Sequence, residues 1–399
     1  MGIVINNLKA AYNRGAVVNV YRVDDIIFTG YVYLLDENSE ELVLRTYDEW
    51  GMPDGMVYLD LMVVYDVEVD NSQDLQLMKR RMDIAKHYHF KEIAETNLMP
   101  INKLANIRLE ILGRSYVEGQ MVMVTVEQPH GVPQSYKGLV NQVVSSEAVE
   151  LITVDKTDFS SHHKTTIQIA EITTIEFLGK ELTMLTKNRQ LLFGDSVDQV
   201  EVAGDDPHIL DLFADSKATH RLFEIESAAN NGYYYIGYVV NYNYEYVIFN
   251  LVTMSGQFGG YVLMRNTMVA RLFIDSDYLR LIKRFNQENR QADTFLEPVL
   301  NDEREFDMGA DVLDALLEQA INLHQLVRIA SRNAEGQLGY PVDMTPITKQ
   351  VHFQPVDLDY TELDAKQAVA FNDIGELAFG YLEAFLVDDG LNFAKNQNH

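Results

Sequence analysis

Short strand-like runs that carry a glycine near their centre recur along the chain: Phe28-Thr29-Gly30-Tyr31-Val32, Tyr136-Lys137-Gly138-Leu139-Val140, Tyr235-Ile236-Gly237-Tyr238-Val239 and Gln337-Leu338-Gly339-Tyr340-Pro341-Val342. The four glycines lie 108, 99 and 102 residues apart, a period too regular for chance. Each run follows another apolar stretch that reads as a strand, over Val17 to Tyr21, Met121 to Val126, Leu222 to Ile225 and Leu326 to Ile329. A helical stripe precedes the strand. It is plainest at Val312, Leu313, Leu316, Leu317, Ala320 and Ile321, and appears again at Ile5, Leu8 and Tyr12, closed by Gly15.

After the first three glycines comes a further β run, Leu42-Val43-Leu44, Val149 to Ile152 and Tyr246 to Phe249. In copies one and three a glycine-bearing turn follows, Trp50 to Gly55 and Ser255 to Gly260, and then a strand pair: Met56 to Leu61 with Val63 to Val69, and Tyr261 to Met264 with Met268 to Ile274. Asp70 to Leu75 and Asp275 to Leu279 close these copies. Leu178 to Leu182 takes that place in the second copy and Asp373 to Leu377 in the fourth. Leu75, Met78, Met82 and Ala85, and Tyr278, Leu281, Ile282 and Phe285, start linking helices. The pattern predicts one helix and about five bent antiparallel strands per copy. The glycine removes the Cβ that would block a sharp bend, and each strand set is expected to close into a small barrel that hides its edges. Pro341 is expected to interrupt the fourth copy, leaving it degenerate.

This order of helix, strand, hydrophobic-x-Gly-hydrophobic-hydrophobic strand and Val/Leu strand resembles the Sm-like (LSm) fold, with SH3-like barrels sharing the same curved-strand logic. The best match is Gly30-Tyr31-Val32-Tyr33-Leu34-Leu35-Asp36 followed by Leu42-Val43-Leu44, which looks like the first Sm motif. The fold class is therefore mainly β with linking helices, as tandem five-stranded Sm-like or SH3-like barrels. Repeat 1 covers 1–80, a helical linker 81–103, repeat 2 104–190, repeat 3 205–290 and a degenerate repeat 4 308–390.

The resemblance implies RNA binding through an aspartate and an asparagine beside the loop after strand two, and through an Arg/Lys-Gly pair in the second motif. Asp36 fits the first place, but Glu41 stands near the asparagine position; in copy three Asn243 and Glu245 fall there. Asp60-Leu61 and Met264-Arg265-Asn266 occupy the second-motif region, where Arg265 is the basic match and lacks the glycine. Sm-like domains also pair edge strands into rings, so the resemblance implies that linked copies form part or all of one.

Composition narrows the function. The 399 residues are 47% hydrophobic and 23% charged, as in ordinary globular chains. The net charge of −28 repels phosphate backbones and disfavours RNA. Lys79-Arg80-Arg81, the densest basic cluster, reads as the solvated face of a helix. Zero cysteines exclude disulfides, thiolate catalysis and Cys-based zinc sites. No signal-peptide pattern opens the chain, and no apolar stretch approaches the roughly 18 residues that span a bilayer. A soluble cytoplasmic protein with no membrane partner is expected.

No catalytic constellation stands out. Ser255 to Gly260 lacks the lysine and following helix of a phosphate cradle. Asp24-Asp25, Asp205-Asp206 and Asp388-Asp389 read as solvated pairs, and His87-Tyr88-His89 and His162-His163 have no third ligand nearby. The expectation is a non-enzymatic scaffold or protein-interaction module, self-associating or bound to a protein partner, with no cofactor and no metal. The alternatives are RNA binding through Asp36 and Arg265, and a small-molecule or peptide pocket between barrels lined by Tyr47 and Trp50. Tyr244 is a further candidate, from the aromatic stretch Tyr233-Tyr234-Tyr235, Tyr238, Tyr242, Tyr244 and Tyr246, where core packing competes with a protein interface.

Overall fold

The computed structural model describes residues 2–69, 72–94, 101, 106–127, 132–229, 234–309, 311–331, 334–345, 347–358, 363 and 366–397. Asp70 and Asn71 of the first closing turn, Tyr233 of the aromatic stretch and most of the end of the 81–103 linker lie outside them. The chain divides into two compact units, Met1–Ser196 and Val197–His399. Each is mainly β and is built on one large antiparallel sheet.

Unit 1 begins with α1 (Gly2–Arg14), which buries Val4, Leu8 and Ala11 and stops at Gly15 in the left-handed region (φ 63°). Then come β1 (Val17–Arg22), β2 (Ile27–Asp36), β3 (Glu41–Tyr47), β4 (Pro53–Asp60), β5 (Val64–Val69) and α2 (Gln73–His87). A second set follows: α3 (Ile107–Glu118), β6 (Met121–Val126), β7 (Gln134–Val143), β8 (Ala148–Thr153), β9 (His163–Gln168), β10 (Ile172–Phe177), α4 (Lys180–Lys187) and α5 (Arg189–Leu192). Its ten strands run in the order β5-β1-β2-β3-β4-β10-β6-β7-β8-β9.

Unit 2 repeats the plan after an added strand, β11 (Val200–Ala203). Its first set is α6 (Ile209–Thr219), β12 (Phe223–Ser227), β13 (Tyr234–Tyr242), β14 (Tyr246–Val252), β15 (Phe258–Arg265), β16 (Val269–Asp275) and α7 (Asp277–Gln291). Its second is α8 (Val312–Asn322), β17 (Val327–Ser331), β18 (Ala334–Thr345), β19 (Gln350–Pro355), β20 (Gln367–Ala370), β21 (Glu376–Phe379) and α9 (Leu382–Gln397). The order is β11-β16-β12-β13-β14-β15-β21-β17-β18-β19-β20. All four sets thus run fifth-first-second-third-fourth. The fourth has its five strands too, because Pro341 is absorbed where the β18–β19 register shifts, between Pro341 and Asp343.

The glycine that marks each copy sits where β2, β7, β13 or β18 folds over its neighbour. A Cβ on Gly30 would stand 2.0 Å from the Arg45 carbonyl oxygen. On Gly138, Gly237 and Gly339 it would stand 2.1, 2.5 and 2.3 Å from those of Ile152, Asn250 and Gln354. No side chain fits at such distances, so the repeat signature is a steric requirement.

Closure of each set on itself is not what forms. No ladder joins β4 to β5. Instead β4 pairs with β10, from Leu59 opposite Thr174 to Met56 opposite Phe177, and β15 pairs with β21, from Met264 opposite Glu376 to Tyr261 opposite Phe379. Two sets share one sheet, which leaves the joining strands buried on both faces. Leu42, Leu44, Val57 and Leu59 pack on α1, while Val43, Met56 and Tyr58 pack on the core beneath α3. In unit 2, Val247, Phe249, Val262 and Met264 serve their own set, and Tyr246, Ile248, Tyr261 and Leu263 the next. Burial on both faces explains the continuous apolar run Leu42-Val43-Leu44.

Two further expectations change. Asp373 to Leu377 does not close the fourth copy; 371–373 form a turn before β21, and the copy closes at Gly380, before α9. Lys79, Arg80 and Arg81 are half-buried on α2, and Arg81 donates to the Glu49 carbonyl at 2.8 Å. The glycine turn explains this: Gly51 lies against the α2 backbone at Arg81 and Met82, as Gly256 lies against α7 at Phe285.

Candidate functional site

The sharing of strands creates a cavity at each seam. In unit 2 it measures about 440 Å³ and is walled by Tyr235, Tyr261, Arg328, Glu376, Tyr381 and Glu383, with Gly259 and Gly336 opening space. Glu376 starts β21 and is 3% exposed. Its Oε1 accepts from the Ser227 hydroxyl and its Oε2 from Tyr235 Oη at 3.0 Å. Burial raises its pKa from the ordinary value, and the two hydroxyl donors only partly offset that. Arg328 pairs with Glu383 of α9. The Tyr381 hydroxyl is buried against the Arg328 guanidinium.

The equivalent cavity of unit 1 is smaller, about 280 Å³, and is lined by Thr46, Tyr47, Asp54, Met56, Glu176 and Glu181 among others. Ladder register fixes the correspondence: Phe177 faces Met56 as Phe379 faces Tyr261, which places Thr174 where Glu376 stands and Arg22 where Ser227 stands. Here the node is a cation. Arg22, 3% exposed, donates from Nη1 to Thr174 Oγ1 at 2.9 Å and pairs with Asp24 through Nη2. Burial opposes ionisation of Glu181, but Lys137 and Lys156 (3.0 Å) outweigh it and hold its pKa below normal. Burial also raises Asp54 and, with Asp54 nearby, pushes Glu176 up to about 7.

The residues expected from sequence are scattered. Asp36 holds its own turn, accepting from Asn38 N at 3.0 Å and from the Ser39 amide and hydroxyl at 3.4 and 3.1 Å. Asn243 does the same in copy three for Glu245 and Tyr246. Arg265 donates from Nε to the Ile374 carbonyl (2.9 Å) and from Nη2 to that of Phe371 (3.1 Å), pairs with Glu245, and lies 4.8 Å over the Tyr246 ring. It ties copy three to copy four, as Asp60 at the matching position ties copy one to Arg108 of α3. Tyr47 is half-buried, edge-on to Tyr31 at 5.7 Å, and lines both the seam cavity and a second hollow of about 610 Å³ against α2. Trp50 lies on the β3–β4 turn, where its amide donates to Asp48 Oδ1 at 3.0 Å, and it lines neither. Tyr244 is 93% exposed, in the β13–β14 turn.

Other candidate groups are held locally. His87 packs edge-on against Tyr88, and His162 Nδ1 is 3.2 Å from the Phe159 carbonyl. Asp24 and Asp388 are not simply solvated, since one pairs with Arg22 and the other accepts from Tyr340 Oη at 2.6 Å. Among the described residues no group of His, Asp and Glu is placed to hold a metal, and no helix is long and apolar enough to cross a membrane.

Sequence reasoning missed Arg22, Tyr235 as a cavity wall, Glu376 and Tyr381. The available signal was a charge inside an apolar strand: Arg22 at the end of Val17-Val18-Asn19-Val20-Tyr21, and Glu376 before Leu377-Ala378-Phe379. No family model matches the chain, and no curated protein sequence matches it.

Proposed function

We propose that the chain is a non-enzymatic protein-interaction scaffold built from four Sm-like repeats, two to a sheet. The glycine approach common to the four sets and their shared strand order support the Sm-like reading. One observation carries the function: the fourth strand of one repeat is hydrogen-bonded to the fifth strand of the next, at β4–β10 and at β15–β21. Edge pairing is therefore the joint this chain itself uses.

The edges at the sheet ends are unequal. On β5 the Val67 amide donates to Asp66 Oδ1 at 2.8 Å, and its carbonyl accepts from Asn7 Nδ2 at 2.9 Å, so the outward groups at the middle of the strand are occupied. β16 is covered by β11. Fifth-strand edges are thus blunted in both units, which opposes head-to-tail growth of copies. β9, a fourth-strand edge, ends its sheet. Ile169 N–H bonds to the Glu147 carbonyl at 2.8 Å, so alternation turns the amides of Lys164, Thr166 and Gln168 outward. A protein partner that supplies an extended strand would continue the sheet there by strand addition. RNA binding has less support, since Asp36 and Arg265 are engaged within the fold.

The test uses Thr166→Pro, which removes an outward amide and no ladder bond. Partners cross-linked to β9 by the wild-type chain should be lost by the variant, with the melting temperature unchanged. Equal recovery by both proteins, or no partner for the wild type, would sink the reading.

A further inference from the structure

Glu376 presents a problem that the scaffold reading does not use. In its ionised form a carboxyl this buried calls for a positive partner, and its two hydrogen-bond donors, Ser227 and Tyr235, are neutral. No cation pairs with it among the described residues, because the nearby Arg328 is bound to Glu383. Arg328 and Glu383 answer each other, which leaves Glu376 as a cavity carboxyl with no ionic partner among the described residues. Beside it lie about 440 Å³ of space and the three tyrosine rings of Tyr235, Tyr261 and Tyr381.

Unit 1 shows how the same architecture meets this demand. At the matching node the chain inserts Arg22, whose charge is answered by Asp24, and it places the ammonium groups of Lys137 and Lys156 on the cavity carboxylate Glu181. Unit 2 has the carboxylate and the larger space without the ammonium.

We propose that the seam cavity of unit 2 binds a small primary amine, whose ammonium is received by Glu376 among the rings of Tyr235, Tyr261 and Tyr381. A volume of this size takes a small molecule. Aromatic faces and a carboxylate together select a cation over an isosteric neutral group. The net charge of −28 enriches cations around the chain and depletes anions.

The experiment is calorimetric titration of the full chain with n-butylammonium, n-butanol and butyrate. Butylammonium should bind in the millimolar range or tighter, with butanol at least about tenfold weaker and butyrate silent. Glu376→Gln should weaken the amine by about tenfold or more while leaving butanol unchanged. A second measurement needs no variant. Within the wild-type cavity the groups facing Glu376 are Ser227, Tyr235, Tyr261, Arg328, Tyr381 and Glu383. Burial raises the pKa of Glu376, so amine affinity should fall on mild acidification as that carboxylate takes up a proton. Equal binding of butanol and butylammonium, a pH-independent affinity, undiminished binding to the Gln variant, or no binding of the amine would each overturn the proposal. Failure of this site would leave the β9 reading intact, because no residue of β9 is involved.

Discussion

The two seam cavities occupy the same place in the same architecture, and the matching buried register positions beside them hold opposite chemistry, a guanidinium in one and a carboxyl in the other. In unit 1 the buried node is Arg22 against Thr174, with Asp24 answering the charge. In unit 2 it is Ser227 against Glu376, answered by hydroxyls alone. Unit 1 answers its cavity carboxylate Glu181 with its own ammonium groups, Lys137 and Lys156, and keeps the smaller space, whereas unit 2 keeps the larger one. Duplicated architecture therefore fixes where a cavity forms, while the residues at a few register positions decide whether it is a structural tie or a receptive hollow.

The largest effect is expected at the glycines beneath each seam. A Cβ on Gly55 would stand 2.3 Å from the Gly179 amide nitrogen, and one on Gly260 2.6 Å from the Tyr381 Cβ, both at positive φ. Gly55→Ala meets backbone and should cost about 3 kcal/mol or more; Gly260→Ala meets the Tyr381 Cβ, which the backbone holds in place, at a somewhat looser distance and should cost a little less, roughly 2–3. Thermal denaturation, with hydrogen exchange to assign the weakened unit, measures both. Equal losses would mean that the unit 2 seam is no roomier than that of unit 1.

The node itself comes next. Arg22→Met removes a buried guanidinium that serves Thr174 and Asp24, and should cost on the order of 2–3 kcal/mol. Glu376→Gln orphans no charged partner and should stay within about 0.5 kcal/mol of wild type at neutral pH, or stabilise. Comparable losses in the two melting temperatures would break the distinction between a tied and an untied charge.

A smaller effect follows from acid-base linkage at Glu176. Its pKa is raised from 4.5 to about 7 by burial, then by Asp54, against the attraction of Lys137 and Arg22; Glu181 also faces it. A carboxyl raised on folding stabilises fully below its unfolded value, and that contribution is lost as pH rises through the folded one. Unit 1 should therefore lose on the order of 2 kcal/mol between about pH 4.5 and 7 through this group. Glu176→Gln should flatten the loss, so that the variant gains on wild type more at pH 8 than at pH 5. Parallel pH profiles for the two proteins would remove Glu176 from the account.

How much of this was visible beforehand follows from the range of the forces involved. The glycine period was legible because a close backbone approach excludes every side chain locally, and four copies repeat that constraint. The helices α1, α2, α7 and α8 and most strand starts were legible from periodicity, as at Met121–Val126, whereas α4, α5 and α9 were not. The seam was not, because β4 meets β10 through contacts that no local pattern encodes, and closure of each set on itself satisfies the same apolar run. Asp36 ends β2 at a turn and Arg265 ends β15. No local pattern shows that their hydrogen-bonding capacity is spent on Ser39 and on the carbonyls of Ile374 and Phe371. Glu376 was read as part of a closing turn, since one charge beside Gly375 looks the same in a turn as in a buried strand start.

The smallest effects divide the tyrosine stretch. Tyr235 and Tyr244 belong to one run of aromatics, yet the first gives its hydroxyl to Glu376 and the second is 93% exposed. Tyr235→Phe removes one of two donors to a buried carboxylate and should cost about 1 kcal/mol. Because that bond lowers the Glu376 pKa, losing it should raise the pKa further and move the onset of any amine binding to higher pH. Tyr244→Ala touches no buried contact and should change stability by less than about 0.5 kcal/mol. Melting curves of the two variants at neutral pH decide the matter: similar losses would place Tyr244 in a packed environment, and no loss at Tyr235 would mean that its hydroxyl is dispensable to the Glu376 node.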